Sequence, residues 1–378
     1  MKKTLAAVAV LGTFAGTALA ADVTLYGKVD YGFVYSETNN ALSVNGGEIS
    51  QADTDSFGLQ SGVSSGSRFG LKGSEQISEG LTVGFQLEQG FNADDGTFSS
   101  DRMFHREARV YVATDYGTFH FGRFGALDSG TGSLDVVGGF SASGTGYADT
   151  LDQGTVMTTY GRMDNSIAYT SPEFAGVKVS AMVSLKQDAF GAGEESEHTA
   201  DRYYGLGVSG QWGNLGAGLV VSQADIAFAD TKDGVTAGEP FEDDVLNVTA
   251  GVNYDFGVAK AYLAANYTDG GELGDAKGLK DTYYDVESMG VVASVEAPLA
   301  AGTLEAMVGY RVASIDWADS ALDDTDAKVW TVGAFYKYPL SKRTYLYTGA
   351  GYTTTDYDVK TVDDEDTTTV YAGLCHNF

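Results

Sequence analysis

Three arginines stand where their spacing could matter. Arg68 in SRFGLKG, Arg109 in EARVYVA and Arg162 in YGRMDNSIAY each lie in a segment that alternates apolar and polar residues. Phe69 and Leu71 take one face of the first segment and leave Arg68, Gly70 and Lys72 on the other. Val110 and Val112 oppose Glu107, Arg109 and Tyr111, while Ile167 and Tyr169 oppose Arg162, Asp164 and Ser166. A period of two puts each set on one side of a strand. The chemistry open to such groups is electrostatic: fixed guanidinium charges, with carboxylates across from them, set a field in the space they enclose. The plainer reading is that they balance Glu and Asp on a polar face.

Signals for bond-making chemistry are poor. GVSSG, Gly62 to Gly66, fits a nucleophile-elbow pattern around Ser64, but no strand–turn–helix context surrounds it. The four histidines, 105, 120, 198 and 376, show no metal-ligand spacing. The acidic runs DDTD at 323–326 and DDED at 363–366 offer oxygen ligands for Ca²⁺ but lack the Gly and Glu positions of an EF-hand. Solvated loops are the default for them, no cofactor is implied, and an enzyme is not expected.

The elements that must carry the arginines are strands throughout. DVTLYGKVDYGFVY sets Val23, Leu25, Val29, Tyr31 and Phe33 against Thr24, Tyr26, Lys28 and Asp30. LTVGFQLEQGF sets Leu81, Val83, Phe85 and Leu87 against Thr82, Gly84, Gln86 and Glu88. About sixteen such segments follow one another, a number and length suited to tilted membrane strands. Short connections (DYGT, WGN, DFGV, PLSKRT) alternate with long acidic ones such as 36–65, 188–201 and 225–245. Short turns at one rim and long loops at the other suit an antiparallel transmembrane β-barrel. An exported sandwich or adhesin would alternate too, but it would not carry Gly, Thr, Tyr, Arg, Lys and Glu on its second face. The final run, TTVYAGLCHNF, puts Val370, Ala372, Leu374, His376 and Phe378 on one face. A last strand with nothing after it to turn the chain back must lie at an edge or close something.

Composition agrees. Residues 1–20 have Lys2 and Lys3, a short apolar core and Ala18-Leu19-Ala20, the form of a cleaved secretory signal, leaving 21–378 as one barrel domain. After it no stretch of 18 apolar residues remains for a transmembrane helix. One cysteine, Cys375, allows no internal disulfide. The formal charge of −29, more negative still without the signal's lysines, excludes nucleic acid as a partner.

SRFGLKGSEQISEGLTVGFQLEQGFNADDG at 67–96, FHREARVYVATDYGTFHFGRF at 104–124, RMDNSIAYTSPEFAGVKVSAMVS at 162–184, YPLSKRTYLYTGAGY at 338–352 and the terminal Phe378 together resemble the Gram-negative trimeric general porins. The resemblance spans the mature chain. It implies a barrel of about sixteen strands in the outer membrane, passing ions and small hydrophilic solutes by diffusion, with lipid and lipopolysaccharide around a homotrimer. Alternatives are a porin of the same fold that prefers a sugar or a dicarboxylate, or a plugged structural or adhesive barrel. The resemblance also implies that Phe378 is read by the barrel-assembly machinery and that the third external loop folds into the lumen. Residues 125–158, rich in Gly and Ser and carrying Asp128, Asp135, Asp149 and Asp152, are the candidate loop. Arg68, Arg109 and Arg162, with Lys72 beside them, match the family's basic cluster at the constriction, and Glu88, Glu107, Tyr111 and Asp164 would line the lumen. Arg123 shares the parity of Phe119 and Phe121 and so faces out or under the loop; with Arg102 and Arg106 it is a candidate trimer contact. Cys375 departs from the family, which usually has a basic residue there. Arginines at the constriction and acidic loops at the mouth pull in opposite directions. The balance predicts a weak cation preference in dilute salt that fades as salt rises.

Overall fold

The computed structural model describes residues 23–45, 48–142, 156–186, 202–228, 231–232, 235–236, 241–273, 283–317, 325–359 and 362–378. In chain order the first strands are β1 (Thr24–Asn45), β2 (Glu48–Ser61), β3 (Arg68–Ser78), β4 (Leu81–Gly90), β5 (Glu107–Thr114) and β6 (Gly117–Gly125). After the third long connection come β7 (Arg162–Thr170), β8 (Val177–Ser184), β9 (Arg202–Trp212) and β10 (Leu215–Phe228). A two-residue hairpin, β11 (Thr231–Lys232) and β12 (Val235–Thr236), precedes β13 (Phe241–Asp255), β14 (Lys260–Leu273) and β15 (Tyr283–Leu299). The chain ends with β16 (Gly302–Trp317), β17 (Thr325–Pro339), β18 (Thr344–Tyr357) and β19 (Glu365–Asn377). A single 3-10 turn at Gly138–Phe140 is the one helical element among the described residues.

All strands but the small hairpin belong to one antiparallel sheet that closes on itself. The closing seam pairs Lys28–Asn39 of β1 with Asn377–Asp366 of β19. On its other side β1 pairs with β3 through Thr24–Lys28 and with β2 from Tyr31 upward. β2 and β3 therefore stand end to end as one wall, interrupted by residues 62–67, and the barrel has sixteen wall positions. The interruption is built around Asp30: Gly62 N–H donates to its carbonyl at 3.0 Å and Ser64 N–H to its Oδ1 at 3.0 Å.

Which face turns inward decides the solvent. Val308, Val332, Leu346, Val370 and Leu374 are exposed on the outer surface. Ser222, Asn247, Thr249, Asn266, Thr268, Ser288 and Thr331 are buried on the inner one. Apolar out and polar in is the reverse of a soluble barrel and fits a wall between lipid and water. From Thr369 to the chain's last residue the exposed residues are Val370, Ala372, Leu374, His376 and Phe378, the face read from the sequence.

One long connection is not a loop. Residues 36–45 and 48–61 continue β1 and β2 as a paired ribbon, with a register shift between Thr38 and Ala41. Large apolar residues are sparse along it (Leu42, Val44, Ile49, Phe57 and Leu59), so the sustained alternation that marks a half-buried strand is missing from the sequence. Side-chain ladders stabilise it instead: Thr38 meets Thr367 at 2.9 Å and Ser36 meets Thr369 at 3.2 Å.

Candidate functional site

The lumen wall formed by β1, β3, β4 and β5 is a hydrogen-bonded lattice of charges. Arg109 donates from Nη2 to Gln86 Oε1 at 2.8 Å and its Nε lies 3.3 Å from Glu107 Oε2. Its Nη1 stands 2.7 Å from His120 Nδ1, and its guanidinium lies over the Tyr111 ring. Gln86 donates to the Tyr26 hydroxyl at 2.9 Å, which in turn donates to Glu88 Oε2 at 3.0 Å. Glu88 Oε1 takes Arg106 Nε at 2.7 Å and Arg68 Nε at 3.7 Å. Lys72 sits over the Tyr26 ring, and Lys28 donates to Ser65 at 3.1 Å. Arg162 is within electrostatic reach of Arg106, Glu107, Glu88 and Arg123.

Missing side chains make this lattice possible. Tyr26 on β1 reaches Glu88 on β4 by lying across β3 at Gly70, where an added Cβ would sit 2.6 Å from the tyrosine ring. Gly84 is covered in the same way by Tyr111, at 2.3 Å. These reaches depend on strand register, which pairs Tyr26 with Gly70 and Gly70 with Glu88. Tyr26, Gln86 and His120 were not singled out from sequence as site residues, and Arg106 was expected at a trimer contact. Only Tyr26 and Gln86 carried a signal, through their polar-face parity.

Arg106 lies on the lumen side rather than at a subunit contact. The loop returns by pairing Arg106 N–H with Glu88 C=O at 3.3 Å, which sets its guanidinium over the Glu88 carboxylate. Arg123 keeps the parity of Phe119 and Phe121 but is engaged within the chain: Nε donates to His105 C=O at 2.7 Å and Nη1 to Asp164 Oδ1 at 2.5 Å. Arg102 takes the other oxygen of Asp164 at 2.7 Å. Asp164 is thereby corrected from a lumen residue to the clamp that holds the 91–106 loop on β6 and β7. The cause is a bulge: the register slips between Gly122 and Phe124, and Asn165 opposite has φ +47. One extra residue breaks the alternation from which Asp164 was placed.

The described parts of the third long connection, 126–142 and 156–161, fold into the barrel and lie along β9 to β16. Glycines on the inner face form its bed. Phe140 rests on Gly218 and Gly251, where an added Cβ would come within 2.5 and 2.4 Å of it. Val156 rests on Gly290 and Gly309, with Leu127 and Val136 over Gly207. Polar pins supplement the packing: Ala142 N–H donates to Ser294 Oγ at 2.8 Å and Asn253 to Gly139 C=O at 3.1 Å. Toward the basic wall, Ser133 donates to Glu107 through its N–H and hydroxyl, each at 3.1 Å.

The loop carboxylates do not face the arginines where they are described. Asp128 is fully buried among the wall strands. Asp135 closes its own turn, accepting Gly130 N–H at 2.9 Å and Gly138 N–H at 2.5 Å. Burial raises the carboxyls of both, that of Asp135 to about 6. Asp149 and Asp152 lie outside the described residues. On the basic wall six cations (Lys28, Arg68, Lys72, Arg106, Arg109 and Arg162) stand with three carboxylates, Asp30, Glu88 and Glu107. The acidic run at 363–366 is tied to the ribbon: Asp363 N–H donates to Gln51 and Glu365 accepts Leu42 N–H. No group of three metal-ligating side chains occurs among the described residues.

Residues 6–358 match the sequence model of a family described as Gram-negative porin. An outer membrane porin protein of Bordetella pertussis is 30% identical, with 100% of both chains aligned. Outer membrane porin protein 32 of Delftia acidovorans is 28% identical over 92% of this chain and 88% of its own. Among solved structures, the anion-selective porin from Comamonas acidovorans shares 25% identity at a TM-score of 0.61, over 95% of this chain and 100% of that one. In-vitro folded OmpT of Vibrio cholerae, 16% identical, shares the fold at a TM-score of 0.60.

Proposed function

The chain belongs to the Gram-negative porin family, outer-membrane channels for passive diffusion of ions and small hydrophilic solutes, and from that premise we propose how its channel selects. The aperture lies between the wall bearing Arg68, Lys72, Arg109 and Arg162 and the loop 125–158, whose residues Leu127, Val136, Phe140 and Val156 are bedded on the opposite side. Arg106 and Lys28 belong to the same wall, and Asp149 and Asp152 supply the loop's remaining acidic charge. The constriction prefers anions. The observation that carries this is the excess of cations on one wall while Asp128 and Asp135 point into protein.

A preference set there opposes the one expected from composition. Among the described acidic residues of the outer connections, Asp53, Asp55, Asp363 and Asp364 are exposed, and in water charges farther apart than the Debye length, about 10 Å at 0.1 M salt, are largely screened. Charges converging on a narrow path between low-dielectric walls act on every ion that passes. The anion-selective porin from Comamonas acidovorans supports the same reading by its likeness.

The protein works as a homotrimer among outer-membrane lipid and lipopolysaccharide, is exported through a signal of residues 1–20 that is cleaved, and is inserted by the barrel-assembly machinery through Phe378. Planar-bilayer recording under a KCl gradient tests the channel reading. Large steps with an anion-sided reversal potential support it; no steps at all would mark a plugged barrel, and steps blocked by one solute a dedicated one.

A further inference from the structure

Asp128 was expected to add charge to the constriction, and its surroundings give it another task. Its side chain is 0% exposed. Oδ1 accepts the Tyr203 hydroxyl of β9 at 2.9 Å. Oδ2 accepts the Ser222 hydroxyl of β10 at 2.5 Å and Asn247 Nδ2 of β13 at 2.8 Å. Three neighbouring wall strands thus converge on one carboxyl group, and each donor offsets part of what its burial costs.

The network does not stop at the entry to the loop. Asn247 also donates to Thr158 C=O at 3.4 Å, on the loop's returning limb. Asn247 Oδ1 accepts Asn266 Nδ2 at 2.6 Å and Thr268 Oγ1 at 3.0 Å, and Asn266 Oδ1 accepts Thr158 N–H at 3.0 Å. Asp128 and Thr158 lie thirty residues apart in sequence, yet both are clasped to Asn247, and Asn266 holds Thr158 and Asn247 together. Between these clasped limbs the chain projects Ser133 toward Glu107 on the basic wall.

We infer that Asp128, Asn247 and Asn266 form a latch that closes the base of the internal loop and so fixes the width of the aperture, acting as positioning residues and not as charges seen by permeating ions. This rests on the channel reading above. Buried polar networks hold one arrangement only while every member is satisfied. Removing one member leaves buried donors without acceptors, and the bed of glycines must then hold the loop alone. Gly218 and Gly251 hold Phe140 by shape, so the loop would loosen and swing without leaving the barrel.

The test compares channels from folded, heat-modifiable trimer: wild type, Asp128→Ala, Asp128→Asn, Asn247→Ala and a deletion of residues 130–150. The deletion reports on the channel reading itself; unchanged conductance there overturns that reading and the latch with it. If the deletion widens the channel, Asp128→Ala and Asn247→Ala should each admit neutral sugars that the wild type excludes and show added current fluctuations. Their reversal potentials should move together, although only one of them removes a charge. Asp128→Asn, which keeps one acceptor, should retain more of the size limit than Asp128→Ala. Wild-type size limits in Asp128→Ala and Asn247→Ala overturn the latch, as does a reversal potential that shifts in both Asp128 variants and stays fixed in Asn247→Ala. Should Asp128→Ala give no folded trimer, Asn247→Ala carries the same comparison from the other end of the network.

Discussion

Phe378 closes the barrel against Gly27. Phe378 N–H donates to Gly27 C=O at 3.0 Å, and Gly27 N–H donates back to Phe378 C=O at 3.1 Å. The phenyl ring lies where a side chain on residue 27 would go, within 2.5 Å of an added Cβ. The end of the chain is therefore both the last hydrogen-bonded step of the seam and its cover. Replacing Phe378 with Asp should lower the yield of folded protein in the outer membrane while export is untouched. Gly27→Ala should give a milder version of the defect, of about 1–3 kcal/mol, because overpacking displaces the ring. Normal yields of heat-modifiable protein in both variants would separate the seam from assembly.

Tyr26 and Gly70 make a second pair of this kind, inside the lumen. Tyr26→Phe keeps the ring over Gly70 and removes the hydroxyl that links Gln86 to Glu88, a loss of about 1 kcal/mol. Gly70→Ala forces the ring off the wall and should cost more, since the strut and its cover go together. Thermal unfolding in detergent measures both. A Gly70→Ala channel as stable as the wild type would mean that the tyrosine does not lie across β3.

What the sequence disclosed and what it hid divide along one line. The outer face of β19, from Val370 to Phe378, was legible because lipid on one side and polar lumen on the other impose a period of two. The ribbon at 36–61 was hidden because its few large apolar residues show no sustained alternation among the polar ones. Arg68 and Arg109 could be placed on the lumen face by parity alone, whereas Asp164 could not, because the bulge at Asn165 leaves no mark in composition. Asp128 was the hardest: its three donors stand 75, 94 and 119 residues away, and nothing local distinguishes a pinned carboxylate from a free one. The glycines under Phe140 and Val156 were equally silent, since glycine is common throughout this chain.

Asp135 gives the loop a dependence on pH. Burial lifts its carboxyl to about 6 despite backbone donors from Gly138, Gly130 and Val137, so the docked turn favours the protonated acid. Its contribution to docking is fully present below the ordinary carboxylate range and is lost as pH rises through about 6, a change on the order of 3 kcal/mol. Asp128, also raised by burial, acts in the same direction. Current fluctuations from the loop should therefore grow between pH 4 and pH 7, and Asp135→Asn should flatten that rise. Single-channel noise spectra across this range decide it; fluctuations that fall with rising pH would contradict the assignment.

Ion preference is the sharpest test, because loop acids and wall arginines oppose one another. Arg109 sits with Gln86, His120 and Glu107 as its contacts, on a wall where cations outnumber carboxylates. Changing it to Glu alters the local charge by two units and places a carboxylate beside Glu107. The acidic outer loops act through water, and their influence should fade as the Debye length falls from about 10 Å at 0.1 M to about 3 Å at 1 M salt. The wall charges line the ion's own path, so their effect should persist at both concentrations. Wild-type channels are therefore expected to become more anion-preferring as salt rises, because the opposing loop term is screened first. Arg109→Glu should lose that preference at low and high salt alike, and Arg109→Gln should fall between. Reversal potentials under KCl gradients at two mean salt concentrations measure all three. If Arg109→Glu leaves the permeability ratio where it was, Arg109 does not border the path that ions take, and the basic wall is a structural lattice only.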